Sequence, residues 1–405
     1  MRIGIIGGGM AGLTAAIAMQ QTGMEILLLD ANTTLGKKLS ATGSGRCNIS
    51  NQAARADTYS TDDRDDLEKC FKQIPQSKII SFLDTIGIPT RSSEDGWAYP
   101  LSYSAANVVN ILEDNLHGTQ ILRNCLITHI KKEDEHFILS TDDPSNTIKV
   151  DRVIIACGSP ANPQLGARDV LYDQFKELGH HVLAVKPALT PLETDTNVFH
   201  KLQGVRLDAQ VTLKRNRKTI VQNTGNIIFT KWGLNGPGVM DISHLIDLDS
   251  PHQYTLQIHF APYSYNKIQE YLMDPARIQF SPHSILKAFL PAKIVHFILA
   301  QVNLNNKNTC QELSNTEKKN LLHAIENQEV SVRAVRGFKH AQASCGGIPL
   351  AEINPLTMES CMCKGLFFAG EILNVLGPCG GFNLHWAILS GIIAAQGATV
   401  LDTNN

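Results

Sequence analysis

The stretch Arg2-Ile-Gly-Ile-Ile-Gly7-Gly-Gly9-Met10-Ala11-Gly12, followed by Leu13 to Gly23 and then Glu25-Ile-Leu-Leu-Leu-Asp30, decides the fold. Arg2 to Ile6 is a short apolar run, the length of a buried parallel strand. Gly7-x-Gly9-x-x-Gly12 follows at once, and Leu13 to Gln21 reads as an Ala-rich helix. Ile26 to Leu29 is a second buried strand, closed by Asp30. Strand, glycine turn, helix, strand and acid in this order form the dinucleotide fingerprint. Gly7 permits the tight turn, Gly9 lets the backbone approach a pyrophosphate, and Gly12 lets the helix sit close to the sheet. The free N–H groups at the helix start, around Met10 and Ala11, face the anion. Asp30, beside Ala31, stands where a carboxylate accepts ribose hydroxyls. The stretch does not say which dinucleotide.

The chain has 405 residues, which points to two or three domains. Net charge is −2 and the charged fraction 18%, so neither a nucleic-acid partner nor a membrane surface is expected. The apolar opening has three consecutive glycines and no basic region beyond Arg2, so it does not read as a signal peptide. No run is long enough to span a membrane. Nine scattered cysteines fit reduced thiols and a cytoplasmic location.

After Asp30 comes a loop dense in small and hydroxyl residues: Lys37-Lys38-Leu-Ser40-Ala-Thr42-Gly43-Ser44-Gly45-Arg46-Cys47-Asn48. Such a loop can lie flat against a planar ligand, with Lys37, Lys38 and Arg46 near phosphates or a polar ring edge. Asp62 to Leu116 is mostly helical in spacing, interrupted by an aromatic loop at Gly96-Trp97-Ala-Tyr99-Pro100. Gln120 to Ile130 and Glu135 to Thr141 read as a β-ribbon. Val150 to Ala156 is a buried strand ending in Cys157-Gly158-Ser159-Pro160, a small-residue turn that lets backbone approach a second part of the same ligand.

Two prolines in Val185-Lys-Pro187-Ala-Leu-Thr-Pro191-Leu mark a boundary. Beyond it lie strand-like segments from Gly204 to Gln222, at Asn226 to Thr230 and at Tyr254 to Phe260, then a helical stretch from Tyr263 to about Asn327. Alternation resumes at Ser331 to Phe338. Gly233-x-x-Gly236-x-Gly238 does not read as strand, turn and helix, so a second dinucleotide domain is not expected. The chain then returns to α/β texture. Lys364-Gly-Leu-Phe-Phe-Ala-Gly370-Glu371 is a buried strand, and Gly380-Gly381-Phe382-Asn383-Leu384 opens a terminal helix. The bare N–H groups at that helix start, aimed at the pyrimidine edge of a flavin, would stabilise charge on the reduced ring.

Several ordered motifs carry a family resemblance: Thr42-Gly-Ser-Gly-Arg-Cys-Asn48, Val185 to Leu192, Phe229-Thr-Lys-Trp-Gly-Leu-Asn-Gly-Pro237, Asn354 to Ser360, and Gly365 to Glu371 with Gly380 to Leu384. Together they resemble the bacterial YhiN/BaiN-like flavoproteins over nearly the whole chain. The resemblance implies an α/β fold: a glutathione-reductase-type FAD-binding Rossmann domain from both chain ends, 1–186 and 346–405. Into it would be inserted a β-barrel-like domain, 187–262 and 328–345, carrying a helical subdomain, 263–327. It also implies FAD, with the pyrophosphate on Gly7 to Gly12 and the ribose on Asp30. The adenine would lie by Ile127 and the Ala156-Cys157-Gly158 turn. The flavin would meet Lys38, Ser40, Gly43 to Asn48, Gly370-Glu371 and Gly380 to Leu384. This chain departs from the family pattern at Lys231, usually His, at Asn235, usually Ser, at Gly166 to Tyr172, at Ala343 to Gly347 and at Asn374 to Leu376.

Redox chemistry at a flavin needs electrons from a transiently bound NAD(P)H or from the substrate itself, and a group that carries a proton. The first case is a reductase of an activated C=C or C=O in a small molecule; the second is an oxidase, for example of a small amine. A non-redox flavin scaffold and an RNA-directed flavoprotein are the rival classes. Lys231, Glu371 and His385 are the proton-carrier candidates, with His340 beside them. Cys47 lacks the nearby second cysteine of thiol–flavin enzymes. Cys361-x-Cys363 lacks a second cluster, so no metal site is expected.

Overall fold

The computed structural model describes residues 1–143 and 145–400. The chain forms two units, one of Met1–Pro187 with the segment from Gln342 onward, the other of Ala188–Ala341.

The first unit is built on a five-stranded parallel sheet. Its order is Leu366–Phe368, Arg152–Ile155, Arg2–Ile6, Glu25–Leu29 and Thr119–Leu122. Every residue of the central strand except Arg2 is buried, as a strand covered on both faces requires. The helix Met10–Ala18 follows the glycine turn and is buried over all but its last residue. A Cβ at Gly12 would overlap the Gly7 carbonyl, so glycine is required for the helix to leave the turn at this angle. The terminal helix, Phe382–Thr399, lies against this first helix. At Gly391 a Cβ would stand 2.6 Å from the Ala11 carbonyl, so the two helices touch backbone to side-chain-free surface. Ile388, Leu389 and Ile393 of the terminal helix are fully buried, each contributing about 1.5–3 kcal/mol. The helix is thus apolar almost all round, as a core helix should be.

Two readings of the sequence change here. Thr119–Leu122 is the edge strand of the parallel sheet and no part of a ribbon; the antiparallel sheet is Ile127–Glu133, His136–Thr141 and Thr147–Val150. The Trp97 segment is a strand, Trp97–Pro100, between Ser50–Asn51 and Thr90–Ser92. Its partner on one side is only two residues long, too short to show periodicity.

In the second unit six strands close an antiparallel barrel: Leu192–Thr194, Gly233–Asn235, Lys218–Phe229, Arg206–Arg215, Tyr254–His259 and Gln328–Val335. The long hairpin turns at Asn216 and Arg217, both with positive φ, the turn that matches strand twist. Arg206–Arg215 and Tyr254–His259 alternate buried and more exposed positions, so the inward residues form the core. Lys218–Phe229 runs unbroken, where the sequence reads as two segments. Gly233–Asn235 is followed by the single-turn helix Pro237–Met240. That is a strand, turn and helix after all, but the strand is antiparallel in a barrel, so it builds no dinucleotide site. Helices Tyr265–Met273, Pro282–Lys287, Ala292–Gln301 and Asn315–Glu326 lie between the last two barrel strands. Among the described residues no helix is long and apolar enough to cross a membrane.

Candidate functional site

The first helix starts at Gly9, which offers no side chain to its free amides, and no acidic residue stands in its first turn. A Cβ built on Gly9 meets nothing within 4 Å, so open space lies over these amides. Uncapped N–H groups under open space form an anion seat. Asp30 holds the turn in place. Its Oδ2 accepts the Gly8 N–H at 2.6 Å and its Oδ1 accepts the Asn32 N–H at 2.7 Å. The carboxylate is therefore a brace for the glycine turn first; its remaining lone pairs face the adjoining cleft, which it lines together with Ala31.

That cleft is walled by Ile127 and Cys157, as the sequence suggests, and also by Asn32, Cys125, Arg168 and Tyr172. The Tyr172 hydroxyl is buried and has no partner. Burial pushes its ionisation well above the ordinary phenol range, so it stays a neutral O–H. A lone buried hydroxyl on a residue lining this cleft is a group waiting for a polar ligand. The sequence marks Gly166 to Tyr172 only as a departure from the family pattern, and Tyr172 sits 142 positions after Asp30. Gly158 opens onto empty space, and Ala156 packs its carbonyl against Gly7. The Cys157 thiol is pushed up to about 12 by burial and stays protonated.

A second group of predicted residues converges on Glu371. Its Oε2 lies 2.6 Å from Lys38 Nζ, and its Oε1 accepts the Ser159 hydroxyl at 2.6 Å and the Ser344 N–H at 3.0 Å. Ser344 Oγ in turn bonds Ser159 Oγ at 2.9 Å. The terminal helix fixes the turn before Glu371 from below: Trp386 Nε1 donates to the Gly370 carbonyl at 3.1 Å, and Ser390 Oγ accepts the Gly370 N–H at 2.9 Å. Glu371 is thus a node joining four segments, with most of its acceptor capacity committed.

The third group is the start of the terminal helix. Gly380 and Gly381 both have positive φ, and a Cβ at Gly381 would collide with the Ser50 carbonyl and stand 2.6 Å from Asn48 Oδ1. The helix has no side-chain cap, leaving the amides of Phe382, Asn383 and Leu384 without an intrahelical partner. Asn383 brackets Gly377 through both its amide atoms, and the Tyr59 hydroxyl donates to the Phe382 carbonyl. Asn48 is 7% exposed, yet neither its Oδ1 nor its Nδ2 has a partner. An amide buried with both donor and acceptor unmet costs several kcal/mol unless a ligand meets it.

His385 is fully buried and stacks on Phe71, ring centroids 5.6 Å apart and planes 8° from parallel. Nδ1 is 2.8 Å from Ser50 Oγ, and Nε2 has no partner. Desolvation lowers its pKa to about 4, so the ring is neutral at pH 7. It ties the Ser50 strand to the terminal helix. Cys47 is buried too, and burial raises its thiol to about 12, which removes the thiolate a redox role requires.

In the flat loop, Ser40 and Thr42 bond back to Gly36 and Leu39 carbonyls, and Gly43 to Arg46 are exposed. Gly43 and Ser44 are left-handed, and the Arg46 and Cys47 amides close the loop on the Gly43 and Thr42 carbonyls. Lys37 is exposed. The Arg46 guanidinium is 5.8 Å from the Tyr99 ring centroid, and Tyr103 packs on Tyr99 at 5.4 Å. Trp97, read as a loop residue, lies against Gly380. Lys231 is in the barrel unit, exposed in the bend between Lys218–Phe229 and Gly233–Asn235. His340 is in that unit as well, exposed at the end of a single-turn helix.

A serine, histidine and glutamate also meet where the sequence gives no hint. His180 Nδ1 is 2.8 Å from Glu352 Oε2, and its Nε2 is 2.8 Å from Ser360 Oγ. The spacing resembles a nucleophilic triad. Ser360 is buried, however, and its oxygen accepts the Met362 and Cys363 N–H groups at 3.0 and 2.8 Å. With its lone pairs taken, it is a loop clamp and no nucleophile.

These seats fit a flavin dinucleotide. Gly9 and Gly158 leave room for phosphates, the Tyr172 cleft offers one unmet hydroxyl, and Asn48 offers an unmet amide beside uncapped helix N–H groups.

Residues 1–397 match the family model described as HI0933-like protein Rossmann domain. The chain is 31% identical to a 3-dehydro-bile acid delta(4,6)-reductase of Clostridium scindens, covering 98% of each chain. It is 27% identical to a ribosomal RNA dihydrouridine synthase of Haemophilus influenzae, covering 96% of each. Among solved structures, a 3-ketosteroid-delta4-(5alpha)-dehydrogenase from Rhodococcus jostii RHA1 superposes with a TM-score of 0.51 at 12% identity, covering 98% of this chain and 96% of that one. That likeness concerns the fold alone. The glycine turn, the node at Glu371 and the full-length match lead to one conclusion: the chain belongs to the HI0933-like Rossmann family and is a flavoprotein oxidoreductase.

Proposed function

We propose that this protein binds FAD and uses electrons from NAD(P)H to reduce a carbon–carbon double bond conjugated to a carbonyl. The observation that carries the proposal is Asn48, buried with both amide atoms unmet at the Gly381 turn. A donor and an acceptor side by side suit the alternating edge of a flavin pyrimidine. The chemistry FAD supplies when bound is two-electron hydride transfer.

This chain's residues do the rest. The uncapped amides after Gly9 seat the pyrophosphate, and Lys38, held by Glu371, adds a fixed positive charge. Phe382 to Leu384 present helix N-terminal dipole where negative charge grows on reduction. Trp97 beside Gly380, with the exposed Arg46 and Tyr103 packed on the buried Tyr99 ring, forms an aromatic and cationic surface on which a planar conjugated substrate can lie. Glu371 and His385 are committed to holding structure, so neither is assigned the proton. Nine cysteines scattered along the chain suit a reducing cytoplasm.

The names of the relatives support the choice of reaction. A delta(4,6)-reductase of a 3-dehydro-bile acid and a dihydrouridine synthase both saturate a double bond next to a carbonyl. A second reading places that double bond in a uracil of RNA. It is favoured by the arginine–tyrosine stack, because bases splay onto such surfaces.

The test is reoxidation. Holoenzyme reduced anaerobically by NADPH or NADH is mixed with a steroid dienone, a small enone or a uridine-containing RNA, and the flavin absorbance is followed. Recovery with one of them and formation of the saturated product supports the proposal and names the substrate class. Recovery only with oxygen would replace it with an oxidase.

A further inference from the structure

The near-neutral charge of the chain conceals an asymmetry between its units. Residues 188–341 hold seventeen Lys and Arg against twelve Asp and Glu, net +5, so the rest of the chain is net −7. Eight of the fourteen histidines also fall in this unit. Part of that charge gathers in one place. A broad cleft of about 1060 Å³ is lined by Lys201, Lys293, Lys307, His200, His283 and His296, and no Asp or Glu is among its described lining residues.

The cleft is not self-neutralised. Lys293 donates to the Gln203 carbonyl at 3.1 Å, which consumes no charge. Lys307 has one acidic partner, Glu317 at 3.3 Å. His283 and His296 bring their Nε2 atoms within 3.4 Å of each other. Two imidazoles so close cannot both carry a proton cheaply in the absence of an anion. Burial, then His296 and Lys287, hold the His283 pKa below its ordinary value, as a locally positive field does. Asn305, Asn308 and Gln301 add amide groups, and Phe297 adds a ring face.

We propose that this cleft is a binding site for phosphate groups of a nucleotide ligand. Phosphate oxygens bridge the facing His283 and His296 and meet Lys201, Lys293 and Lys307, while Phe297 and the amides contact the rest of the ligand. The cleft is too large for one phosphate, which argues for a nucleotide or a short strand rather than the free ion. The site lies wholly within 188–341 and does not depend on the redox reading.

The test uses the full-length holoprotein and three probes: inorganic phosphate, NADPH and a fluorescent single-stranded RNA twelve nucleotides long. Binding is read by calorimetry for the first two and anisotropy for the third. At least one of NADPH and RNA should bind at 150 mM salt, and Lys201→Glu with Lys293→Glu should weaken it at least tenfold with bound flavin per chain unchanged. For RNA, three lysines on three phosphates give a log–log salt slope of roughly −2. If the charge-reversed protein does not fold, Lys201→Gln with Lys293→Gln replaces it and should weaken binding at least threefold. Binding of neither NADPH nor RNA, or binding that both pairs of substitutions leave unchanged, would overturn the proposal. Preference for RNA over NADPH identifies a strand as the source of the phosphates, and the reverse identifies a dinucleotide.

Discussion

Lys38 Nζ and Glu371 Oε2 lie 2.6 Å apart although 333 positions separate them in the chain. The pair joins the loop after the second strand to the turn after the last strand, so one ion pair closes the site from both chain ends. Both side chains are partly shielded, 31% and 22% exposed, and Glu371 has two further commitments, to the Ser159 hydroxyl and the Ser344 N–H. Replacing Glu371 by Gln keeps the volume and removes the charge. A charged hydrogen bond of this kind is worth about 1.5–3 kcal/mol. Flavin affinity should fall ten- to hundredfold, measured by fluorescence titration of apoprotein with FAD. Lys38→Met combined with Glu371→Gln should cost little more than either alone, as expected of one shared interaction.

Gly9 and Gly12 separate folding from binding. At Gly12 a Cβ overlaps the Gly7 carbonyl, so Gly12→Ala should lower the melting temperature of the apoprotein. At Gly9 a Cβ meets no protein atom within 4 Å. Gly9→Ala should therefore leave apoprotein melting within about 0.5 kcal/mol of the parent, the usual range for a substitution without new contacts, and still abolish flavin retention. Equal effects of the two substitutions in both assays would show that the space over Gly9 is no ligand seat.

His385 makes stability pH-dependent. Its folded pKa is about 4, below the ordinary 6.5, because burial disfavours the imidazolium. The unfolded chain binds the extra proton between these values, so stability rises with pH there. The contribution is fully present above pH 6.5 and is lost as pH falls toward 4, by up to roughly 3 kcal/mol. Urea unfolding of the parent and of His385→Asn from pH 4 to 7 checks this. The variant should show a flatter dependence across that window.

His180 predicts loss of stability without loss of chemistry. Removing its ring leaves Glu352 and Ser360 short of a buried partner each, at about 1–3 kcal/mol per group. His180→Ala should lower the unfolding midpoint markedly, while protein that does fold keeps its flavin. Loss of flavin reduction at unchanged stability would contradict the clamp role.

The legibility of this protein in its sequence follows range. The Gly7 to Gly12 turn and the Phe382 helix were readable because each depends on neighbours within a few positions. The strands Arg206–Arg215 and Tyr254–His259 showed through their alternation, while the barrel they help close was implied only by the family resemblance. Thr119–Leu122 misled because four residues with no clean burial alternation do not tell a parallel edge strand from the ribbon that follows it. The tie of Ser159 and Ser344 to Glu371, the unmet hydroxyl of Tyr172 and the clamp of His180 could not be read at all. Ser159, Tyr172 and Ser344 stand in stretches that the sequence marks only as a turn or as departures from the family pattern, and the contacts that give them a role come from residues far away in the chain. The total charge of −2 also hides a split, net +5 over residues 188–341 and net −7 over the rest, because a sum over the chain carries no position.

The central claim is a flavin seated between the two chain ends, with Asn48 meeting it at the Gly381 turn. The most direct measurement is the visible spectrum of purified protein, followed by FAD quantitation after denaturation and anaerobic titration with NADPH and NADH, for the parent and Asn48→Ala. The account predicts a yellow parent with about one FAD per chain, bleached by at least one nicotinamide, and an Asn48→Ala protein that folds but holds FAD weakly or shows a shifted flavin spectrum. A colourless parent that takes up no FAD, or an Asn48→Ala protein with parental affinity and spectrum, would contradict it.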